Sequence, residues 1–253
     1  KLKKKFLKKK IYRKKKKLFK KKNIYLISNS RWLENFAKKS DLTKNIKIRT
    51  IYNPVETNIW KRQHTLNAKK KLKLDDQKKY IFFGAQGGIN NIRKGGEIFL
   101  ESLKFLNSDL ENLEVIVLGG EKNYKDKING IICNFRKLEK NKKKQLLYHS
   151  VSSVTVAASK AESLPQFVVE TILCRNPVAS FDVGGINEIV AHRKNGYISK
   201  NINPNSLSKG ISYCLNSINK KDLIVSENKL RKMFDEKKIA NEYKNYIKKI
   251  IEV

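Results

Sequence analysis

Apolar residues fall along this chain in short runs and helical stripes that alternate with good regularity. Residues 24–28 read as a short buried strand, Ser30 is placed to cap a helix over about 31–39, and residues 46–52 read as a second strand, ended by Asn53 and Pro54. Residues 61–76 are polar and lysine-rich and break the pattern. Beyond them, strand 80–83 leads into a glycine-rich loop and a helix over about 95–106. Strand 113–118 ends on Gly119 and Gly120, and strand 131–134 precedes a helix over about 140–148. Strand 154–158 precedes a helix over about 164–174, and strand 177–181 precedes one over about 185–191. Short apolar strands that alternate with helices predict an α/β fold, a doubly wound, parallel, Rossmann-like sheet covered on both faces. The last forty or so residues are helical, with Leu230, Phe234, Ile239, Tyr243 and Ile247 along one face.

Charge changes this picture more than length does. The 253 residues carry 57 basic and 23 acidic side chains, a formal charge of +34, which rules out an evenly mixed surface and points to anionic partners. Only nine of the 57 are arginines, and such a lysine bias fits genomic base composition as well as function. Residues 1–22 hold fourteen lysines and Arg13 and no acid, with Leu2, Phe6, Leu7, Ile11, Tyr12, Leu18 and Phe19 at roughly helical intervals. This is a basic amphipathic helix with three open readings: a surface helix of a missing domain, a binder of anionic lipid, or a nucleic-acid tail. No apolar run reaches the length of a transmembrane helix, and the N-terminus lacks the apolar core of a secretory signal. Cys133, Cys174 and Cys214 lie far apart, form no CxxC and leave one thiol over, which reads as a reducing compartment without a metal framework. Opening on Lys1, with Met233 as its only methionine, the chain is expected to be a piece of something longer.

In a doubly wound sheet ligands bind beyond the carboxyl ends of the strands, and three loops there carry candidate chemistry. The first runs Gly84-Ala85-Gln86-Gly87-Gly88 and on through Asn90, Asn91, Arg93, Lys94 and Gly95. Its glycines permit close backbone approach to an anion, and Arg93 and Lys94 stand just before a helix whose dipole favours one, though the spacing is neither GxGxxG nor a P-loop. Taken alone it is equally well a flexible loop with solvated lysines. The second runs from Ser159 to Gln166 into a helix that carries Glu170; Ser163 is the candidate cap and Pro165 suits a first turn. Glu162 in the loop and Glu170 along the helix are separated so as to hold two ends of one ligand, yet acids at this spacing also arise by chance. The third, Asp182-Val183-Gly184-Gly185-Ile186, reads equally as a tight strand-to-helix turn.

Together these loops carry a resemblance. The stretch Glu162-Ser163-Leu164-Pro165-Gln166-Phe167-Val168-Val169-Glu170 resembles the E-x7-E motif of the retaining glycosyltransferases of family 4, which have the GT-B fold. Ile51-Tyr52-Asn53-Pro54-Val55-Glu56-Thr57 resembles the segment that precedes that family's C-terminal domain, and the run from Phe83-Gly84 to Lys94-Gly95 resembles its glycine loop and "KG" pair. Asn176-Pro177-Val178, Asp182-Val183-Gly184-Gly185 and Asn195-Gly196-Tyr197 resemble the family's later segments, and the order holds over about residues 24–250.

The resemblance implies a function and a set of roles. It implies the C-terminal half of a GT-B fold, with residues 1–61 a remnant of the acceptor domain, 62–76 a linker, 77–230 the nucleotide-sugar-binding domain and 231–253 a C-terminal helix that packs toward residues 1–61. Lys94 would contact the diphosphate, Glu162 would face the donor sugar as the catalytic carboxylate, and Glu170 would hold the ribose hydroxyls. Backbone amides around Leu164, Pro165 and Gln166 would face the diphosphate, with Gly84, Gly87, Gly88, Gly184 and Gly185 shaping the loops. The family's arginine after the strand glycine is Ala85 here, with Arg93 as its candidate replacement. A proline and a glycine of the family are replaced by Ala158 and Arg175. The implied activity is transfer of a sugar from a nucleotide-sugar, with retention, to a glycan or lipid-linked acceptor, as in polysaccharide biosynthesis. No cofactor or metal is implied, since Lys94, Arg93 and the helix amides would neutralise the leaving diphosphate. His64, His149 and His192 form no ligand cluster and read as surface or packing residues. The implied setting is cytoplasmic, with peripheral contact to an anionic membrane through the basic helix. Two other classes stay in view: an inactive fragment or truncated product that keeps only the donor site, and a basic protein that binds nucleic acid without sequence preference, although RNP, KH, zinc-finger and helix-turn-helix signatures are missing.

Overall fold

The computed structural model describes residues 2–20, 23–106 and 112–252, with side chains from residue 8 onward, so Leu2, Phe6 and Leu7 of the predicted stripe lie outside the described side chains. The chain divides into two units, Lys1–Asn53 and Pro54–Val253.

The first unit holds the predicted basic helix α1 (Leu2–Phe19), then β1 (Tyr25–Ser28), α2 (Arg31–Lys38) and β2 (Lys47–Thr50). Ser30 caps α2 as its position predicts, its hydroxyl accepting from the amide of Leu33 at 3.0 Å. The strands β1 and β2 pair in parallel from Tyr25 opposite Lys47 to Ser28 opposite Thr50. Ile11, Tyr12 and Leu18 of α1 are all exposed.

The second unit is built on one seven-stranded sheet. Its strands are β3 (Lys79–Gly84), β4 (Leu113–Gly120), β5 (Tyr124–Ile128), β6 (Ile131–Lys137), β7 (Ser152–Ala157), β8 (Val178–Phe181) and β9 (Gly196–Ser199), in the order β5-β6-β4-β3-β7-β8-β9. All neighbours are parallel except β5, which runs antiparallel to β6. This is the expected α/β architecture, with one correction to the parallel sheet: β5, a hairpin strand between β4 and β6, runs antiparallel at its edge. Helices α4 (Gly96–Ser102) and α7 (Pro204–Asn216) cover one face, where Phe99, Leu207 and Ile211 pack on Ile81, Phe83, Val115 and Phe181. Helices α3 (Thr65–Leu72), α5 (Lys142–Val151) and α6 (Gln166–Leu173) cover the other, where Ala68, Val151 and Phe167 pack on Tyr80, Phe82 and Ile116. The two helices α8 (Lys220–Met233) and α9 (Glu236–Ile251) complete the unit. Among the described residues no helix is long and apolar enough to cross a membrane.

Four expectations need correction. Residues 62–76 are no plain linker, because α3 lies within them with Ala68 and Lys69 buried. The unit boundary falls at 53/54, and not at 61/62, because residues 55–60 are bound into the second unit. There the amide of Val55 donates to Phe234 O at 3.1 Å, Arg231 Nη2 donates to Trp60 O at 2.8 Å, and Trp60 is buried. Residues 231–253 belong to that unit as well rather than forming a separate element, although Arg231 and Phe234 do meet part of residues 1–61, namely residues 55–60, as expected. Finally, the helix expected over 185–191 is a single 3-10 turn, Ile186–Glu188. The Asn195 side chain ends it, accepting from Ala191 N at 2.7 Å and donating to Ile189 O at 3.0 Å.

Candidate functional site

Close packing of three loops at the carboxyl ends of β3, β7 and β8 builds the site. Gly95, at φ +70°, stands where a Cβ would lie 2.0 Å from the carbonyl oxygen of Ala158, so only glycine lets the first loop rest on the end of β7. Gly184, at φ +59°, meets Glu162 in the same way: an added Cβ would lie 1.7 Å from that carbonyl oxygen. Backbone bonds lock the arrangement, Lys160 N to Arg93 O at 2.8 Å and Gly185 N to Ser163 O at 2.7 Å. Gly184 and Gly185 therefore support the Glu162 loop from beneath.

A cleft of about 410 Å³ opens beside these loops, lined among others by Gly84, Arg93, Lys94, His149, Phe167 and Glu170, with Leu138 and Glu139 from the segment after β6. Gly84 leaves room for the Phe167 ring, which a Cβ there would meet at 2.6 Å. Gly87 and Gly88 line a separate hollow instead, with Val117 and Phe135 from the sheet's other face. Only part of the expected set thus shares the cleft. Leu164 and Pro165 are buried, and Gln166 turns outward to donate from Nε2 to Pro54 O at 3.3 Å. Pro165, not Ser163, is the N-cap residue of α6, and it has no N–H to offer. The helix start still presents its first-turn amides and the positive end of its dipole at this end of the sheet.

Electrostatics mark the two carboxylates differently. Glu162 Oε1 accepts from Arg93 Nη1 at 3.0 Å, from Ser159 Oγ at 3.1 Å and from Lys94 Nζ. Arg93 Nη1 also donates to Ala161 O at 3.1 Å. Glu170, half-buried on α6, has no such partner in hydrogen-bond reach among the described residues. Burial pushes its carboxyl up to about 7, against the pull of nearby Lys142 and with the push of nearby Glu56. Glu56 is itself paired with Lys142. His149 lies wholly within the protein, sharing a hydrogen bond with Thr171 Oγ1 at 3.2 Å, and burial lowers it to about 3, so it is a neutral packing residue that also floors the cleft. Sequence reasoning missed Phe167, Leu138 and the Glu56–Lys142 pair, none of which stands out by residue type. Among the described residues no group of three histidines, cysteines or acids is placed to hold a metal ion.

Comparison with known proteins places the fold and the family. The family model for glycosyl transferases group 1 matches residues 65–238. An uncharacterized glycosyltransferase of Methanocaldococcus jannaschii is 26% identical over 186 residues, which make up 71% of this chain and 47% of that protein. The chain thus spans about half the length of this curated relative. Sucrose-phosphate synthase from Thermosynechococcus elongatus shares the fold with a TM-score of 0.74 at 17% identity, over 90% of this chain and 58% of that one. HepE of Anabaena, solved in complex with UDP-glucose, does so at 0.71 and 15% identity, over 88% of this chain and 63% of that one. The mostly parallel sheet is that of the GT-B glycosyltransferases.

Proposed function

The chain belongs to the glycosyl transferases of group 1, and from that premise we propose that its second unit binds a nucleotide-sugar and passes the sugar to an acceptor with retention at the anomeric carbon. The observation that carries this reading is the cleft itself, which brings two cations, Arg93 and Lys94, and the carboxylate of Glu170, partway along α6, into one lining. A nucleoside diphosphate has those two features, a doubly charged bridge and a ribose diol. In this reading Lys94 and the first amides of α6 take the diphosphate, Glu170 accepts from the ribose hydroxyls, and Glu162 faces the sugar. Charge on the leaving diphosphate is met by side-chain cations and the helix dipole, so the transfer proceeds without a metal. HepE supports the donor class, since it was solved with UDP-glucose.

The test separates phosphate from base. Lys94→Ala is expected to weaken binding of UDP, GDP or ADP, whichever the wild type takes, by roughly 10–100-fold, the loss of one charge-assisted contact of about 1.5–3 kcal/mol. The free nucleoside should bind both proteins equally in the same calorimetric titration. Equal losses for nucleoside and diphosphate would remove Lys94 from the phosphate site.

We also infer a glycan or lipid-linked acceptor, and an anionic membrane as the surface that α1 meets. Exposed Ile11, Tyr12 and Leu18 among its lysines support the membrane contact. Sedimentation with vesicles of one part phosphatidylglycerol to three of phosphatidylcholine should carry the protein down and fail once residues 1–22 are deleted. Equal sedimentation of both proteins would place the contact elsewhere.

A further inference from the structure

Lys94 serves two anions by its position. It lines the cleft where the proposed diphosphate lies, and its ammonium is bonded to Glu162 Oε1. Glu162 is held independently of it, by Arg93 Nη1 at 3.0 Å and Ser159 Oγ at 3.1 Å, and Ser159 is buried. Arg93 is anchored in turn on Ala161 O at 3.1 Å, and its carbonyl takes the amide of Lys160. One carboxylate oxygen thus has three donors: Ser159 from its own loop, Arg93, which is tied to that loop through Ala161 O, and Lys94, and both cations line the cleft.

We propose that Glu162 and the donor's diphosphate compete for Lys94, so that donor binding transfers this ammonium from the carboxylate to the phosphates while Arg93 and Ser159 keep Glu162 in place. This rests on the donor-site reading above and adds to it an exchange of counter-ions. The lysine side chain is unbranched, flexible and about one-quarter exposed, so it can swing without moving either loop. Glu162, at 12% side-chain exposure, cannot follow it without leaving Ser159. The exchange has two effects. Glu162 weakens diphosphate binding, because an ion contact must be given up for each one formed. The same exchange relieves Glu162 of one of its two cations at the moment the sugar arrives, which raises the negative charge that faces the anomeric centre.

Glu162→Gln isolates this, since the amide oxygen retains the shape and the bond to Ser159 without the charge. Inorganic pyrophosphate and UDP, GDP or ADP are titrated into wild type, Glu162→Gln, Lys94→Met and the double variant, with thermal melting to establish that each is folded. Pyrophosphate and the diphosphate nucleotide are expected to bind Glu162→Gln about five- to tenfold more tightly than wild type, by the same factor for both, as for removal of one partly screened charge contact. That gain should vanish in the Lys94→Met background, as a coupling between the two side chains requires. Unchanged or weaker binding by folded Glu162→Gln overturns the exchange, as does a gain that persists without Lys94, while leaving the donor site intact if the wild type binds. A wild type that takes neither pyrophosphate nor any of the three nucleotides removes the donor-site reading and the exchange with it.

Discussion

Replacing Glu170 by glutamine is expected to stabilise the protein at pH 8 while weakening its hold on nucleotide by two orders of magnitude or more. The carboxyl is raised to about 7 by burial from an ordinary value of 4.5, so between those values the folded protein keeps a proton that the unfolded chain has released. Stability from this group is therefore complete below about 4.5 and is lost as pH rises toward 7. A tenfold change in proton affinity corresponds to about 1.4 kcal/mol, and with solvent reaching the cleft the penalty at pH 8 comes to about 1–2 kcal/mol. Glutamine, which never ionises, is expected to recover it, and urea unfolding at pH 5 and pH 8 reads the difference. Function runs the other way. Two ribose hydroxyls that donate to a carboxylate represent about 3–6 kcal/mol of charge-assisted bonding, which an amide oxygen supplies only in part. Nucleotide affinity of the wild type should also fall as pH drops below about 7, where Glu170 holds its proton. A flat affinity profile from pH 5.5 to 8, or a variant no more stable than wild type at pH 8, would show that Glu170 is ionised and solvated as an ordinary surface acid.

The second large effect is structural. Glu227→Ala is expected to cost about 3–5 kcal/mol, the range for stripping one partner from a buried ion pair. Glu227 is buried on α8 and takes Arg231 Nε at 2.8 Å on one oxygen and Arg175 Nε on the other. Arg231 also donates to the carbonyls of Thr57, Trp60 and Leu173, so it ties residues 57–60 and the end of α6 to α8. Without Glu227 that guanidinium stays among carbonyls with no counter-charge, and the strap over residues 55–60 loses its fixed point. The melting temperature should fall by about 10 °C. A loss under 1 kcal/mol in urea would mean that water replaces the carboxylate.

How much of the fold is legible from sequence depends on which side chains carry the pattern. The inner strands β3 and β4 are largely apolar on both faces because helices cover both, and such runs announce themselves. Helix α3 does not. One of its two buried residues is Lys69, whose ammonium donates to Asp76 O and Lys78 O, both at 2.7 Å, so a charged residue stands where an apolar one would mark the stripe. His64 precedes it without a side-chain cap bond, removing the start signal too. The site divides in the same manner. Arg93, Lys94 and Glu162 are visible as charges in loops, and Glu170 as an acid within an otherwise apolar helix. His149 reads only as a surface or packing residue, and its place with Phe167 in the lining of the cleft emerges only from where Gly84 leaves room for the Phe167 ring.

A strand from a second molecule that approaches the sheet along β5 meets Lys125 and Lys127, both exposed, around Asp126. Its own lysines, in a copy of the same chain, would face them at the spacing of a β-ladder, where like charges repel and unpaired edge amides find no partner. The opposite edge is protected by other means: β9 has only four residues, and Ser199 Oγ donates to Ser206 O of α7 at 2.8 Å. The hairpin strand between β4 and β6 thus ends a nearly all-parallel sheet in an edge whose charge disfavours pairing with a second copy.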